Sequence, residues 1–67
     1  MTIRVLTPSS LHEEPDPRSS TVGPVLPAGF AIAELREEQK DWLSVCISAN
    51  KVSYCGYILK ANTNWSS

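Results

Sequence analysis

Apolar and polar residues alternate in several short stretches of this chain, and proline, glycine and polar runs separate them. Residues 2–7 (TIRVLT) alternate with β-branched side chains, which predicts a half-buried strand broken by Pro8-Ser9-Ser10. Between His12 and Ser20 two prolines fix φ and remove backbone donors, so this segment is predicted as a long surface loop. Residues 22–26 (VGPVL) read as a short strand, closed by a tight turn at Pro27-Ala28-Gly29. Further along, Leu43, Val45 and Ile47 alternate with Trp42, Ser44 and Cys46, giving one apolar face and one that carries Trp42. Residues 48–51 (SANK) are turn-like, and residues 52–59 (VSYCGYIL) return as a strand rich in β-branched and aromatic residues. These two strands are expected to form a hairpin.

Residues 31–43 (AIAELREEQKDWL) support two readings from local pattern alone. Strong helix formers dominate, and Ile32, Leu35, Gln39 and Trp42 fall near helical spacing. Yet Phe30, Ile32 and Glu34 alternate with Ala31, Ala33 and Leu35 as in a strand, and residues 36–41 are wholly polar, as a hairpin tip would be. Short strands at close spacing favour a small open barrel or two packed sheets. No internal repeat is present.

At 67 residues the chain is a single domain, with a core expected over about residues 3–60 and a polar tail at 61–67. Its 42% hydrophobic and 19% charged residues are those of a folded globular domain. The six basic residues are scattered and the net charge is −1, so there is no cationic stripe to neutralise phosphates and nucleic acid is not expected as a partner. No run approaches the roughly 18 apolar residues of a membrane span, and the N-terminus lacks the signature of a secretory signal. A cytoplasmic protein is therefore expected, or an extracytoplasmic one if the chain is a fragment of a larger protein. Cys46 and Cys55 are too few for a closed zinc site, even with His12. They are expected as reduced, half-buried structural thiols, with a disulfide conceivable if they face each other across the hairpin. No metal or cofactor is expected.

The order of features resembles the bacterial SH3-like (SH3b) family. The residues that carry the resemblance are Leu11 opening a long loop, the run Pro17-Arg18-Ser19-Ser20-Thr21, the apolar stretch at 22–26, the Pro27-Ala28-Gly29 turn, the tryptophan strand Asp41-Trp42-Leu43-Ser44-Val45, and the closing Gly56-Tyr57-Ile58. The resemblance spans about residues 3–60 and implies an all-β fold, a small SH3-like open barrel of five to six strands. It also implies that residues 30–43 are strand, polar turn and strand, which turns the even reading away from helix. The chain departs from the family at His12-Glu13-Glu14, where an Asn-Val-Arg type of sequence is common, and in a longer connection over residues 48–53.

The stretch LHEEPDPRSS at residues 11–20 concentrates Glu13, Glu14 and Asp16 beside His12. An exposed loop offers neither the burial nor the cleft that general acid-base chemistry needs, and no nucleophile elbow, phosphate loop or zinc-helix motif is present. No enzymatic activity is expected. On an SH3-like barrel this loop lies beside the groove holding the aromatics of the tryptophan strand and the last strand. Glu13, Glu14 and Asp16 would then flank Trp42 and Tyr57 as a groove that accepts cations, with an aromatic floor and carboxylates for Lys or Arg. The plainer reading, a solvated loop and a tryptophan that caps the core, carries equal weight at this stage. The leading expectation is a non-catalytic module that binds a basic segment of a partner protein, as an adaptor or a phage- or plasmid-borne inhibitor of a host factor. The alternatives are a cell-wall (peptidoglycan) binding domain of a larger secreted hydrolase, and a homo-oligomer assembled through edge strands or Trp65.

Overall fold

The computed structural model describes residues 2–65. Five antiparallel strands form one open sheet: β1 (Ser9–His12), β2 (Thr21–Leu26), β3 (Glu34–Glu38), β4 (Trp42–Ala49) and β5 (Val52–Leu59), in the order β2-β1-β5-β4-β3. A 3₁₀ turn, Lys60–Asn62, follows β5. There is no α-helix among the described residues.

The hairpin of β4 and β5 sits inside the sheet and carries an unbroken register from Trp42 opposite Leu59 to Ala49 opposite Val52. Alternation sends Leu43, Val45, Ile47 and Ile58 inward, each at most 1% exposed. Asn50 and Lys51 join the strands with φ of +53° and +66°. Consecutive left-handed residues define the two-residue hairpin turn whose twist suits the flanking strands. The connection is therefore shorter than the sequence reading put it, because Ser48 and Ser53 already pair across the ladder. Directly opposed residues in such a ladder approach closely. Cys46 and Cys55 are one such pair, with Cα atoms 4.1 Å apart, and they form a disulfide. The expectation of reduced thiols is thereby replaced.

Residues 2–7 bury Ile3 and Val5 as their alternation requires, but they form no regular strand. Instead the segment makes isolated bridges, Arg4 to Ala31 and Val5 to Thr63. It is held between residues 29–32 and 62–64 by Val5 N–H to Phe30 O, Ile32 N–H to Ile3 O and Leu6 N–H to Asn62 O. The core lies between this layer and the inner sheet face, where Leu11 and Leu26 join it. The C-terminal stretch is anchored as well. Thr63 is buried, the Asn64 side chain accepts from Arg4 N–H at 2.8 Å, and Trp65 packs against the core. Ser66 and Ser67 lie outside the described residues.

The helical reading of residues 31–43 fails because its apolar residues have nonlocal partners. Ile32 and Leu43 enter the core, Leu35 packs against it, and Gln39 N–H closes the polar turn on Trp42 O. Glu38 lies opposite Leu43 on the rim of the inner side, where Lys60 reaches it at 2.6 Å. Its pKa is lowered, chiefly by the hydrogen bond from Lys60. That pair stabilises the fold above the ordinary glutamate value of 4.5 and loses its contribution as pH falls through the lower folded value.

Two outcomes test this account. Since a non-glycine residue in the left-handed region costs about 1–2 kcal/mol, Lys51→Gly is expected to raise stability by about 1 kcal/mol in urea unfolding. The disulfide closes a loop with a sequence separation of 9. A Cys46→Ala/Cys55→Ala double variant is expected to lose about 2–3 kcal/mol while keeping its β-sheet circular dichroism.

Candidate functional site

Leu11 and His12 are neighbours on β1, so alternation sends Leu11 into the core and leaves His12 on the outer face. There His12 lies opposite Tyr57 of β5, and Tyr57 lies opposite Ser44 of β4. The next outward rung holds Trp42 and Leu59. Trp42 lies outside the core cluster although only 8% of it is exposed. Its indole meets the His12 ring edge to face, with centroids 5.7 Å apart and planes at 86°. Such a pair contributes about 0.5–1.5 kcal/mol beyond the area it buries.

This contact depends on a glycine. β1 crosses β5 so closely at Gly56 that a Cβ there would lie 2.7 Å from His12 O and 3.0 Å from Leu11 Cβ. The sequence reading began the loop at His12 and broke the first strand at Pro8-Ser9-Ser10. Ser9 instead starts β1, because the prolines that exclude a ladder, Pro15 and Pro17, come only after His12.

The loop itself is folded around Ser19. Its hydroxyl donates to Asp16 O at 2.7 Å, its N–H donates to the same carbonyl at 3.0 Å, and its own carbonyl accepts from His12 Nδ1 at 3.1 Å. A carbonyl can only accept, so the geometry assigns the proton to Nδ1. Asp16 Oδ1 accepts from Arg18 N–H at 2.8 Å and lies 3.5 Å from Arg18 Nε. Asp16 is thus committed to holding the turn. Glu13 and Glu14 are exposed, and the carboxylates of both are outside the ion pairs of the described residues, Asp16 with Arg18 and Glu38 with Lys60.

A half-open pocket of about 160 Å³ lies against Trp42 and His12. Pro8, Ser9, Ser10, Leu59 and Asn62 complete its wall, which contains no carboxylate and no Lys or Arg. Of the five residues singled out from sequence, Trp42 lines this pocket and Tyr57 lies one rung away on the outer face. Glu13 and Glu14 follow His12 directly in the chain without lining the pocket, and Asp16 is turned to the loop. His12, Ser9, Ser10, Leu59 and Asn62 were missed. For His12 the signal was available in the alternation with Leu11.

Among the described residues no group of three or more His, Cys, Asp and Glu is placed to hold a metal ion, and no helix is long and apolar enough to cross a membrane. Tyr54, left open by sequence, lies opposite Ile47 and packs against the core. Comparison of the chain with family models, curated proteins and solved structures returns no match.

A Cβ at position 56 forces β1 away from β5. Gly56→Ala is expected to cost about 1–3 kcal/mol and to weaken the His12 contact with Trp42. In a Trp65→Phe background the remaining tryptophan emission should shift; unchanged emission and stability would contradict this arrangement.

Proposed function

We propose that the chain is a non-catalytic SH3-like interaction module that recognises a partner protein through a segment carrying Lys or Arg. The observation that carries this reading is the edge contact of His12 with Trp42, which ties the base of the acidic loop to a small pocket whose wall holds no carboxylate, Lys or Arg. The five-stranded order, the long loop after β1 and the 3₁₀ turn after β5 support the SH3-like fold. His12 and Tyr57, backed by the nearly buried Trp42, supply contact area, while Glu13 and Glu14 supply charge for a cation next to it. Asp16 serves this function indirectly, by shaping the loop that carries the two glutamates. Exposed carboxylates beside a shallow pocket suit binding better than acid-base chemistry, which draws on groups enclosed with their substrate.

One observation favours a second reading. The disulfide of Cys46 and Cys55 fits an oxidising compartment better than the cytoplasm. It supports the alternative of a wall-binding domain acting outside the cell, and sedimentation with purified peptidoglycan separates the two readings. The third reading, self-assembly, has weaker support: β2 and β3 are the sheet edges, and Pro24 in one and the charges of the other oppose strand pairing.

Selection from a displayed random-peptide library tests the leading proposal. Enriched peptides are expected to carry Lys or Arg, and Glu13→Gln/Glu14→Gln or Trp42→Ala is expected to weaken them about fivefold or more. Asp16→Ala should act differently, by loosening the loop. Peptides without basic enrichment, or binding that ignores Trp42, would defeat the proposal.

A further inference from the structure

The disulfide has two ends with different surroundings. Cys46 and Cys55 lie directly opposite each other on β4 and β5, one outward rung beyond Ser44 and Tyr57, so the bond between them runs across the strands. Beyond Cys46 comes β3, where Glu34 is its ladder partner. Beyond β5 comes β1, but it pairs with β5 at His12 opposite Tyr57 and ends there.

If that antiparallel register continued, the place beside Cys55 would fall to Glu14. The loop keeps Glu14 from taking it. Its carbonyl accepts from Asp16 N–H at 2.7 Å, and its own N–H lies 3.4 Å from Ser19 Oγ, so the backbone groups that a ladder would use are engaged within the loop. The sheet therefore has no strand beside Cys55, and the burial of the pair follows: Cys46 is half-buried and Cys55 is exposed.

Thiol–disulfide exchange is a displacement in line, in which a thiolate meets one sulfur from the side opposite the other sulfur, which leaves. To reach Cys46 a thiolate must come from the side that β3 and Glu34 occupy. To reach Cys55 it comes from the side that β1 leaves open. Direction of attack and exposure select the same sulfur.

We propose that Cys55 is a site where an external thiol attaches covalently to the folded protein. The thiolate's electron pair forms a bond to Cys55 Sγ, the bond between Cys46 and Cys55 breaks, and its electrons leave on Cys46 Sγ, which takes a proton from water. The product is a mixed disulfide at Cys55 and a free thiol at Cys46. A second external thiol that attacks the mixed disulfide releases Cys55 as a thiol. The protein disulfide has then gained two electrons, and the two external thiols have become a disulfide of their own. β4 and β5 stay joined by their ladder and by the turn at Asn50 and Lys51, so the change is confined to the outer face beside Tyr57. This chemistry is independent of whether that face binds a basic segment.

The wild-type protein suffices for the test. The oxidised protein is mixed with reduced glutathione in native buffer, quenched at early times with excess N-ethylmaleimide, and mapped by peptide mass spectrometry. Glutathione on Cys55 with maleimide on Cys46 is expected to exceed the reverse pattern about fivefold or more. The rate is expected to stay flat in urea below the unfolding transition, because exchange starts from the folded state. Overturning results are an even distribution, a preference for Cys46, no adduct, or a rate that climbs with urea from the outset, as exchange through unfolding requires. A second arm replaces glutathione with a C-x-x-C protein whose resolving cysteine is changed to serine. A covalent complex through Cys55 extends the site to protein thiols, and its absence restricts the site to small ones.

Discussion

The register of the β4 and β5 hairpin is the constraint on which the rest of this small protein depends. Its period of two separates Leu43, Val45, Ile47 and Ile58, which make the core, from Trp42, Ser44, Tyr57 and Leu59, which make the outer face. A slip of one residue would carry Trp42 inward and expose Leu43. Two local features resist that slip, the turn at Asn50 and Lys51 and the covalent link at Cys46 and Cys55. Both neighbours of the hairpin inherit their facing from it. β1 can present His12 to Trp42 only because β5 offers Gly56 at the crossing, and β3 turns Glu37 outward only through its bulge against β4.

A core this small leaves few residues for anything but structure, and the molecule divides the work by side of the sheet. Tyr54 shows the division clearly. Although it is an aromatic on the same strand as Tyr57, it packs inward, where its ring lies over Gly23; a Cβ at that glycine would come within 2.9 Å of the ring. Gly23 also holds a φ of +73°, so conformation and close approach demand glycine together. Tyr57, three residues later, is left for the outer face. The ends of the chain serve the core too, since residues 62–64 bind the segment around Arg4 and Val5 and bring Trp65 against the apolar interior.

Most of the sheet was legible because period-two alternation is a local signal. Residues 22–26, 42–47 and 52–59 announced their strands, and Ile3 and Val5 announced their burial. The all-β class followed from these stretches, whereas residues 31–43 did not declare themselves. Their helix propensity is local, while the partners that override it, Val45 across the ladder and the core around Ile32 and Leu43, are distant in the chain. The disulfide and the role of His12 were hidden for the same reason. Each depends on which residue lies directly opposite, a quantity that composition and spacing leave free. Within the acidic loop, three carboxylates looked equivalent in sequence, yet one hydrogen bond from Arg18 N–H sets Asp16 apart from Glu13 and Glu14.

The sheet edges bear on how any partner must approach. An open sheet has two free edges, and adding a strand there is a common way to bind a peptide. Here β2 carries Pro24, which lacks the amide hydrogen that strand pairing uses, and Gly23 bends the same strand with a positive φ. β3 is short, bulged and mostly exposed, with four charged residues among its five. Both edges therefore resist strand addition, by a partner or by a second copy of the chain. What remains is the face, where the proposed recognition would work through side chains beside a nearly buried indole, a tyrosine and the disulfide. Docking of that kind demands less backbone order from the ligand and more from its side chains, so side-chain chemistry would set specificity where backbone pairing cannot.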